Sequence, residues 1–292
     1  MKSRFSLWAF ILIFSLVITG LCIRLLATRG VPLSESLVLR GISCLLLVIV
    51  FAYKRNLSLW PKSIRTQFFR ALLAGFALTL FSMSYNWLTA STVSVLSNID
   101  VPLLIALGPL VGIQASWRSR GLSLVSILFL IWYVSALEVQ RNLFLGLASL
   151  SIGTLALCFG YLFIKKSMND ENEGITILVP SLAIVFYGIL DQFGAGLLSS
   201  GQIFETWNLE FILIGILSGC GMFGAYIATM RLYSLTDIAT AELPTLLSSI
   251  VIQPFEALFL NEALQATYFI SSICFVLMIF FIVHYAKGQG VS

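Results

Sequence analysis

Charge is scarce in this chain. Only 10% of its 292 residues are Asp, Glu, Lys or Arg, where soluble globular proteins carry about a quarter. With 59% hydrophobic residues and apolar runs of membrane-spanning length recurring throughout, a water-soluble fold is excluded. Histidine is reduced to one residue, His284, which leaves too few parts for a histidine-rich metal site or a Ser-His-Asp hydrolase. The five cysteines, Cys22, Cys44, Cys158, Cys220 and Cys274, all lie within apolar segments. Their number is odd and no CxxC spacing occurs, so they read as small packing residues. No Walker-type phosphate loop is present, so this chain is not expected to hydrolyse ATP. Neither a cofactor nor a metal is expected, and the chain is not read as an enzyme.

What is abundant is apolar sequence. Runs long enough to cross roughly 30 Å of hydrocarbon fall at 6–26, 36–53, 68–88, 91–113, 122–137, 143–164, 175–190, 211–233, 240–260 and 266–285, making ten expected spans. The first follows Lys2 and Arg4 like the core of a signal peptide. It has no small-residue cleavage site and stops at Arg24, so it is expected to remain as a span. The net charge of +4 comes mostly from Lys and Arg between apolar runs, which report topology and exclude a nucleic-acid surface. Lys54, Arg55, Lys62, Arg65, Arg70, Arg118, Arg120, Lys165, Lys166, Arg231 and Lys287 join Lys2 and Arg4 on one side. Arg24, Arg29 and Arg141 fall on the other, and Arg40 lies inside the second span. The positive-inside rule then puts both termini in the cytoplasm, and the expected setting is a bacterial cytoplasmic (inner) membrane.

Leu88-Thr89-Ala90-Ser91-Thr92 has a partial counterpart in Leu235-Thr236-Asp237-Ile238-Ala239-Thr240, an offset close to half the chain. The expected fold is therefore all-α, with ten transmembrane helices arranged as two inverted five-helix repeats, 1–140 and 141–292. Because five is odd, the second repeat enters the membrane from the opposite side, an architecture that secondary transporters use for alternating access.

Thr89 through Pro102, "TASTVSVLSNIDVP", follows the third span with a tight Leu-Thr turn and places a proline within the fourth. In the second half, "LPTLLSSIVIQPFEALFLNE" is a proline-led span closing on a glutamate. Together with Arg40 early in span two, these segments resemble the EamA family of the drug/metabolite transporter superfamily along essentially the whole chain. One departure is that "GPLVGIQASWRSR" lacks the acidic residue that usually follows the family's fourth span. The resemblance implies a ten-helix transporter with a central cavity, handling amino acids, nucleotide-type metabolites, quaternary amines or drugs. The second half looks closest to members that handle S-adenosylmethionine or amino-acid-like solutes.

Ionisable groups inside a membrane are costly and mark candidate sites. Glu242, Thr245, Ser249, Gln253 and Glu256 fall within about 80° of a helical wheel and form a polar stripe on the ninth span. That stripe lines a solute path, or else both glutamates sit at headgroups while Ser249 and Gln253 bond neighbouring helices. In span four, Pro102 removes the hydrogen bond that the Asn98 carbonyl would otherwise accept. Asp100 lies about 120° around the wheel from Ser94 and reads as a substrate or proton site, a structural ion pair or a packing feature. Arg40 either reaches Asp100, snorkels to the headgroups as expected of Arg24, or receives a substrate carboxylate. Among Tyr85, Trp87, Trp132, Tyr133, Tyr161 and Tyr226, candidates for stacking on a solute, Trp87 and Tyr226 are favoured. Trp87 also fits an interfacial belt with Trp8, Trp60, Trp117 and Trp207. Gly215 and Gly219 form a close-packing pair, and Asp170, Glu171 and Glu173 read as a solvated turn.

The leading functional expectation is a secondary transporter for a small polar organic metabolite, coupled to protons or to substrate exchange and bounded by lipid. The alternatives are an intramembrane enzyme acting on lipid-linked substrates and a membrane subunit without transport of its own.

Overall fold

The computed structural model describes residues 2–106, 116–137, 143–198, 208–236, 238–261 and 266–288. Among the described residues all regular structure is helical: α1 (Lys2–Thr28), α2 (Leu33–Arg55), α3 (Ile64–Ser84), α4 (Ala90–Ser97), α5 (Asp100–Ala106) and α6 (Trp117–Leu137), followed by α7 (Leu143–Asp170), α8 (Glu173–Leu198), α9 (Leu209–Leu235), α10 (Ile238–Ala241), α11 (Leu243–Leu260) and α12 (Ala266–Gly288). Arg141, Trp207, Asp237 and Glu262 lie outside the described residues, as do the side chains of Trp132, Tyr133, Tyr161, Lys165, Lys166, His284 and Lys287.

Six described helices are long and apolar enough to cross a membrane, namely α1, α2, α3, α8, α9 and α11, and shorter apolar helices lie within α7 and α12. Their surfaces are inverted relative to a soluble protein. Phe10, Leu46, Phe68, Leu128, Phe186, Leu213 and Phe281 face outward, while Glu35, Arg40, Arg70, Asn98, Asp100, Glu242, Gln253 and Glu256 are buried. An apolar exterior around a polar interior is stable only in lipid, where each backbone amide is satisfied by its own helix. The chain is an integral membrane protein.

Helix ends follow local chemistry. Asn56, in the left-handed conformation, closes α2 by donating its N–H to the carbonyls of Ala52 and Tyr53, and Asn261 ends α11 in the same conformation. The Asn208 side chain accepts from Phe211 N–H at 2.8 Å and starts α9, an N-cap that satisfies one otherwise orphaned donor. The break between α4 and α5 falls where Pro102 cannot donate to the Asn98 carbonyl, so the expected interruption of this segment is present.

The helices pack in matched sets. α1 lies against α9 and α3 against α7; α2 packs on α8; α2 also meets α9, and α3 meets α8. Toward one end, α1 meets α11 and α7 meets α4 and α5, while α4 meets α11 and α6 meets α12. Exchanging α1, α2, α3, α4–α5 and α6 for α7, α8, α9, α11 and α12 carries this set of neighbours onto itself.

Glycines make these approaches close enough. A Cβ on Gly219 of α9 would sit 2.5 Å from Ser43 Cβ and 2.7 Å from the Arg40 carbonyl oxygen, and one on Gly215 would sit 2.7 Å from Leu39 Cβ. The expected packing role of this pair is met, since α9 rests directly on the α2 backbone. Gly41 and Gly188 do the same between α2 and α8, and Gly221 and Gly224 between α9 and α1. With no hydrophobic force between helices in lipid, such contacts are a main source of cohesion.

The segment linking α7 to α8 is more than a solvated turn. Glu171 accepts the N–H groups of Lys62 and Ser63 at 2.7 and 3.0 Å at the start of α3, and Asn172 Nδ2 donates to the Ser58 carbonyl at 2.7 Å. Glu173 pairs with Arg231 at 2.9 Å. Glu171 and Glu173 thus tie the start of α3 to α8 and α9.

The glycine contacts predict an asymmetry between substitutions. Gly219→Ala must push two helices apart and is expected to cost about 1–3 kcal/mol, seen as a lower midpoint of thermal unfolding in detergent. Gly160→Ala, whose nearest neighbour is Leu73 Cβ at 4.0 Å, is expected to leave the midpoint unchanged or raise it. Equal midpoints for the two variants would contradict the packing.

Candidate functional site: an apolar cavity holding buried charges

Where α4 and α5 break, helices from both ends of the chain enclose a cavity of about 270 Å³, close to the lower end of the roughly 300–1,000 Å³ typical of small-molecule sites. Its wall is largely apolar, with Leu16, Leu78, Phe81 and Met222 among its residues, and the polar groups are few. Arg40 of α2, Arg70 of α3, Asn98 and Asp100 at the break, Tyr226 of α9 and Glu242 before α11 all reach it, with Tyr85, Tyr233, Thr245 and Ser248.

Backbone chemistry places one of the two arginines. Pro180, inside α8, has no N–H to give to the Thr176 carbonyl one turn earlier. Arg70 supplies the missing donor through Nη2 at 2.5 Å, while its Nη1 reaches Gln67 Oε1 at 3.3 Å. Thr176, Pro180 and Arg70 all line the cavity. Arg70 was expected among the basic residues flanking the third span. It is instead 2% exposed, because α3 begins at Ile64 and carries it one and a half turns into the bundle.

Arg40 is also 2% exposed. Its Nη2 donates to Ser82 Oγ at 2.8 Å, and Ser82 in turn donates to the Leu78 carbonyl at 2.7 Å. The guanidinium neither snorkels outward nor pairs with Asp100, and among the described residues no carboxylate forms an ion pair with it. Its Nε has no hydrogen-bond partner, and neither has the Asn98 amide nitrogen. Arg24, expected to turn to the headgroups, donates to the Tyr85 carbonyl at 2.6 Å and closes the end of α3.

The carboxylates separate into two kinds. Asp100 and Glu242 are 6% and 3% exposed and line the cavity, where Glu242 accepts a hydrogen bond from the Tyr233 hydroxyl. Glu256 is turned away from it. Its two carboxylate oxygens accept the N–H groups of Ala90 and Ser91, the first amides of α4, where a negative charge is favoured by the helix dipole. Thr89 completes this cap, its side chain accepting from Thr92 N–H at 3.1 Å.

The polar stripe on α11 therefore divides. Glu242, Thr245, Ser248 and Ile252 face the cavity. Ser249, Gln253 and Glu256 do not line it: Gln253 Nε2 donates to Ser272 Oγ of α12 at 2.8 Å, and Ser249 donates within its own helix to the Leu246 carbonyl at 2.6 Å. Trp87 is half-buried in the turn after α3 and is not part of the cavity wall. Of the residues singled out from sequence, Trp87, Ser249, Gln253 and Glu256 do not line the cavity, while Arg40, Tyr85, Asn98, Asp100, Tyr226, Glu242 and Thr245 converge on it. Arg70, Ser82 and Thr176 join them without having been singled out. A proline in mid-span at 180, paired with a basic residue near a span edge, is the signal that points to Arg70.

In comparison with known proteins, the chain matches no family model and no curated protein sequence.

Glu256→Ala leaves two buried amides without acceptors. A loss of about 1–3 kcal/mol in stability is expected, read as a lower thermal-unfolding midpoint, with a smaller loss for Glu256→Gln, which keeps one acceptor oxygen. An unchanged midpoint for Glu256→Ala would remove the cap from its assigned role.

Proposed function

We propose that this protein is a secondary transporter that moves a small polar organic metabolite across the membrane by alternating access. The observation that carries the reading is the central cavity, in which Arg40, Arg70, Asp100 and Glu242 are buried between helices from both halves of the chain. Each ionisable residue near the centre of a membrane helix costs about 2.5–3.5 kcal/mol to insert, so, setting aside Arg70 with its framework task, Arg40, Asp100 and Glu242 together represent on the order of 10 kcal/mol. A bundle whose only task is to hold itself together gains nothing from that expense that apolar residues would not give. Solute handling requires such groups.

The reading extends to architecture. The chain is taken as ten spans in two inverted five-helix halves, 1–140 and 141–292, of the EamA type, and this is supported by the way the helix neighbours exchange between α1–α6 and α7–α12. The broken α4–α5 segment and the α10–α11 segment, whose connection carries Glu242, occupy corresponding places in the halves. Interrupted helices in both repeats are where transporters expose backbone groups to a solute. The charge bias favours both termini in the cytoplasm, in a bacterial inner membrane. Asp100 and Glu242 are the carboxylates available to couple transport to protons; exchange of one solute for another is the other mode. The cavity volume favours an amino-acid-sized solute over a drug-sized one.

Flux into proteoliposomes tests this directly. A panel of amino acids, S-adenosylmethionine, nucleotides and quaternary amines is expected to include at least one with saturable uptake or counterflow. Asp100→Asn and Glu242→Gln are each expected to lower its rate at least tenfold, while Gln253→Ala changes the rate less than threefold. Absence of saturable flux for the whole panel would overturn the reading.

A further inference from the structure

Resting on the transporter reading, we infer that the cavity takes its solute by a carboxylate, received by the Arg40 guanidinium together with the Asn98 amide. Three observations lead there. First, Arg40 is 2% exposed and lines the cavity, yet its only hydrogen bond among the described residues is to the neutral Ser82 hydroxyl. A buried cation without a counter-charge is expensive, and an anionic solute supplies what the fold omits. Second, Arg40 is held in place without being neutralised. Ser82, anchored on the Leu78 carbonyl, fixes one Nη atom and leaves Nε without a partner, while Gly219 of α9 presses on the Arg40 backbone. The planar guanidinium fork matches a carboxylate through paired N–H donors. Third, Asn98 is 4% exposed, and its amide nitrogen has no partner at the wall of the same cavity. Two unpartnered buried donors on one cavity call for an acceptor.

Arg70 differs from Arg40 in that both of its Nη atoms are engaged, with the Thr176 carbonyl and Gln67. That engagement satisfies the carbonyl that Pro180 leaves free within α8, so the solute is not assigned to Arg70. The remaining charges decide which anion is taken. The cavity holds Asp100 and Glu242 opposite in sign to the two arginines, so a doubly negative phosphate would meet repulsion from both carboxylates. A monoanionic carboxylate on a molecule that also bears an ammonium group leaves the balance of charge unchanged. The solute class is thus a small zwitterionic carboxylate, and cations without an anionic group, such as quaternary amines, are excluded.

The test is binding to the purified full-length protein in detergent, read by isothermal titration and thermal stabilisation. The probes are the common amino acids, the methyl ester of each, phosphoethanolamine and choline. At least one amino acid is expected to bind, with its ester at least thirtyfold weaker. Arg40→Gln is expected to weaken the acid at least thirtyfold while leaving the ester's residual affinity unchanged, a selective loss that a merely misfolded site does not produce. Arg40→Lys restores part of the loss, and Ser82→Ala, which frees the guanidinium from its anchor, weakens the acid three- to tenfold. Should Arg40→Gln fail to fold, the acid-to-ester ratio on the unaltered protein and the Ser82→Ala result decide the matter. The proposal is overturned if acid and ester bind alike, if folded Arg40→Gln binds the acid as tightly as before, or if phosphoethanolamine or choline binds while no amino acid does. Selective binding without flux would leave this assignment standing and defeat the transporter reading. Flux of a solute lacking a carboxylate would do the reverse.

Discussion

Hydrocarbon offers no water to a guanidinium, a carboxylate or a loose amide, so every polar group within the bundle must find its partner in the protein or in something the protein binds. That constraint orders the interior. Glu256, Gln253 and Arg24 have protein partners and serve the framework: a cap on α4, a tie to α12 and a closure for α3. Arg70 gives Nη2 to a carbonyl that a proline left vacant and Nη1 to Gln67. Arg40 and Asn98, equally buried, retain donors with no partner, and it is this remainder that gives the cavity its chemistry.

Proline and glycine do complementary work in this arrangement. Glycine removes the Cβ where α9 must lie on α2 and where α8 must lie on both α2 and α3, which brings the elements bearing Arg40 and Tyr226 within reach of one space. Proline removes an N–H at 102 and 180, opening the helical ladder within that space. The chain breaks between α4 and α5, whereas α8 runs on through Pro180 with its freed Thr176 carbonyl taken by Arg70. A glycine-packed bundle with an interrupted helix at its cavity suits the alternating access proposed for it.

Much of this was legible in the sequence. Apolar runs gave the helices, Pro102 gave the break between α4 and α5, and Gly215 with Gly219 gave a packing face. What stayed hidden depended on contacts between distant residues. A helical wheel groups Glu242, Ser249, Gln253 and Glu256 on one arc, but the direction that arc faces is set by α4 and α12, whose amides and Ser272 claim half of the group. Arg70 looked like a flanking charge because its partner, Thr176, lies 106 residues away and the reason for the bond is a third residue, Pro180. Glu171 looked solvated because the amides it receives, those of Lys62 and Ser63 just before α3, lie more than 100 residues earlier.

The central claim is that the cavity between the two sets of helices opens to each side of the membrane in turn. Thr229 lines that cavity on α9. The most direct measurement is the reactivity of Thr229→Cys, in a chain whose five native cysteines have been replaced, toward a membrane-impermeant maleimide applied to one face or the other of sealed vesicles. The account predicts labelling from both faces, slowed from both by a bound solute. Labelling confined to one face under all conditions, or absent from both, would contradict it.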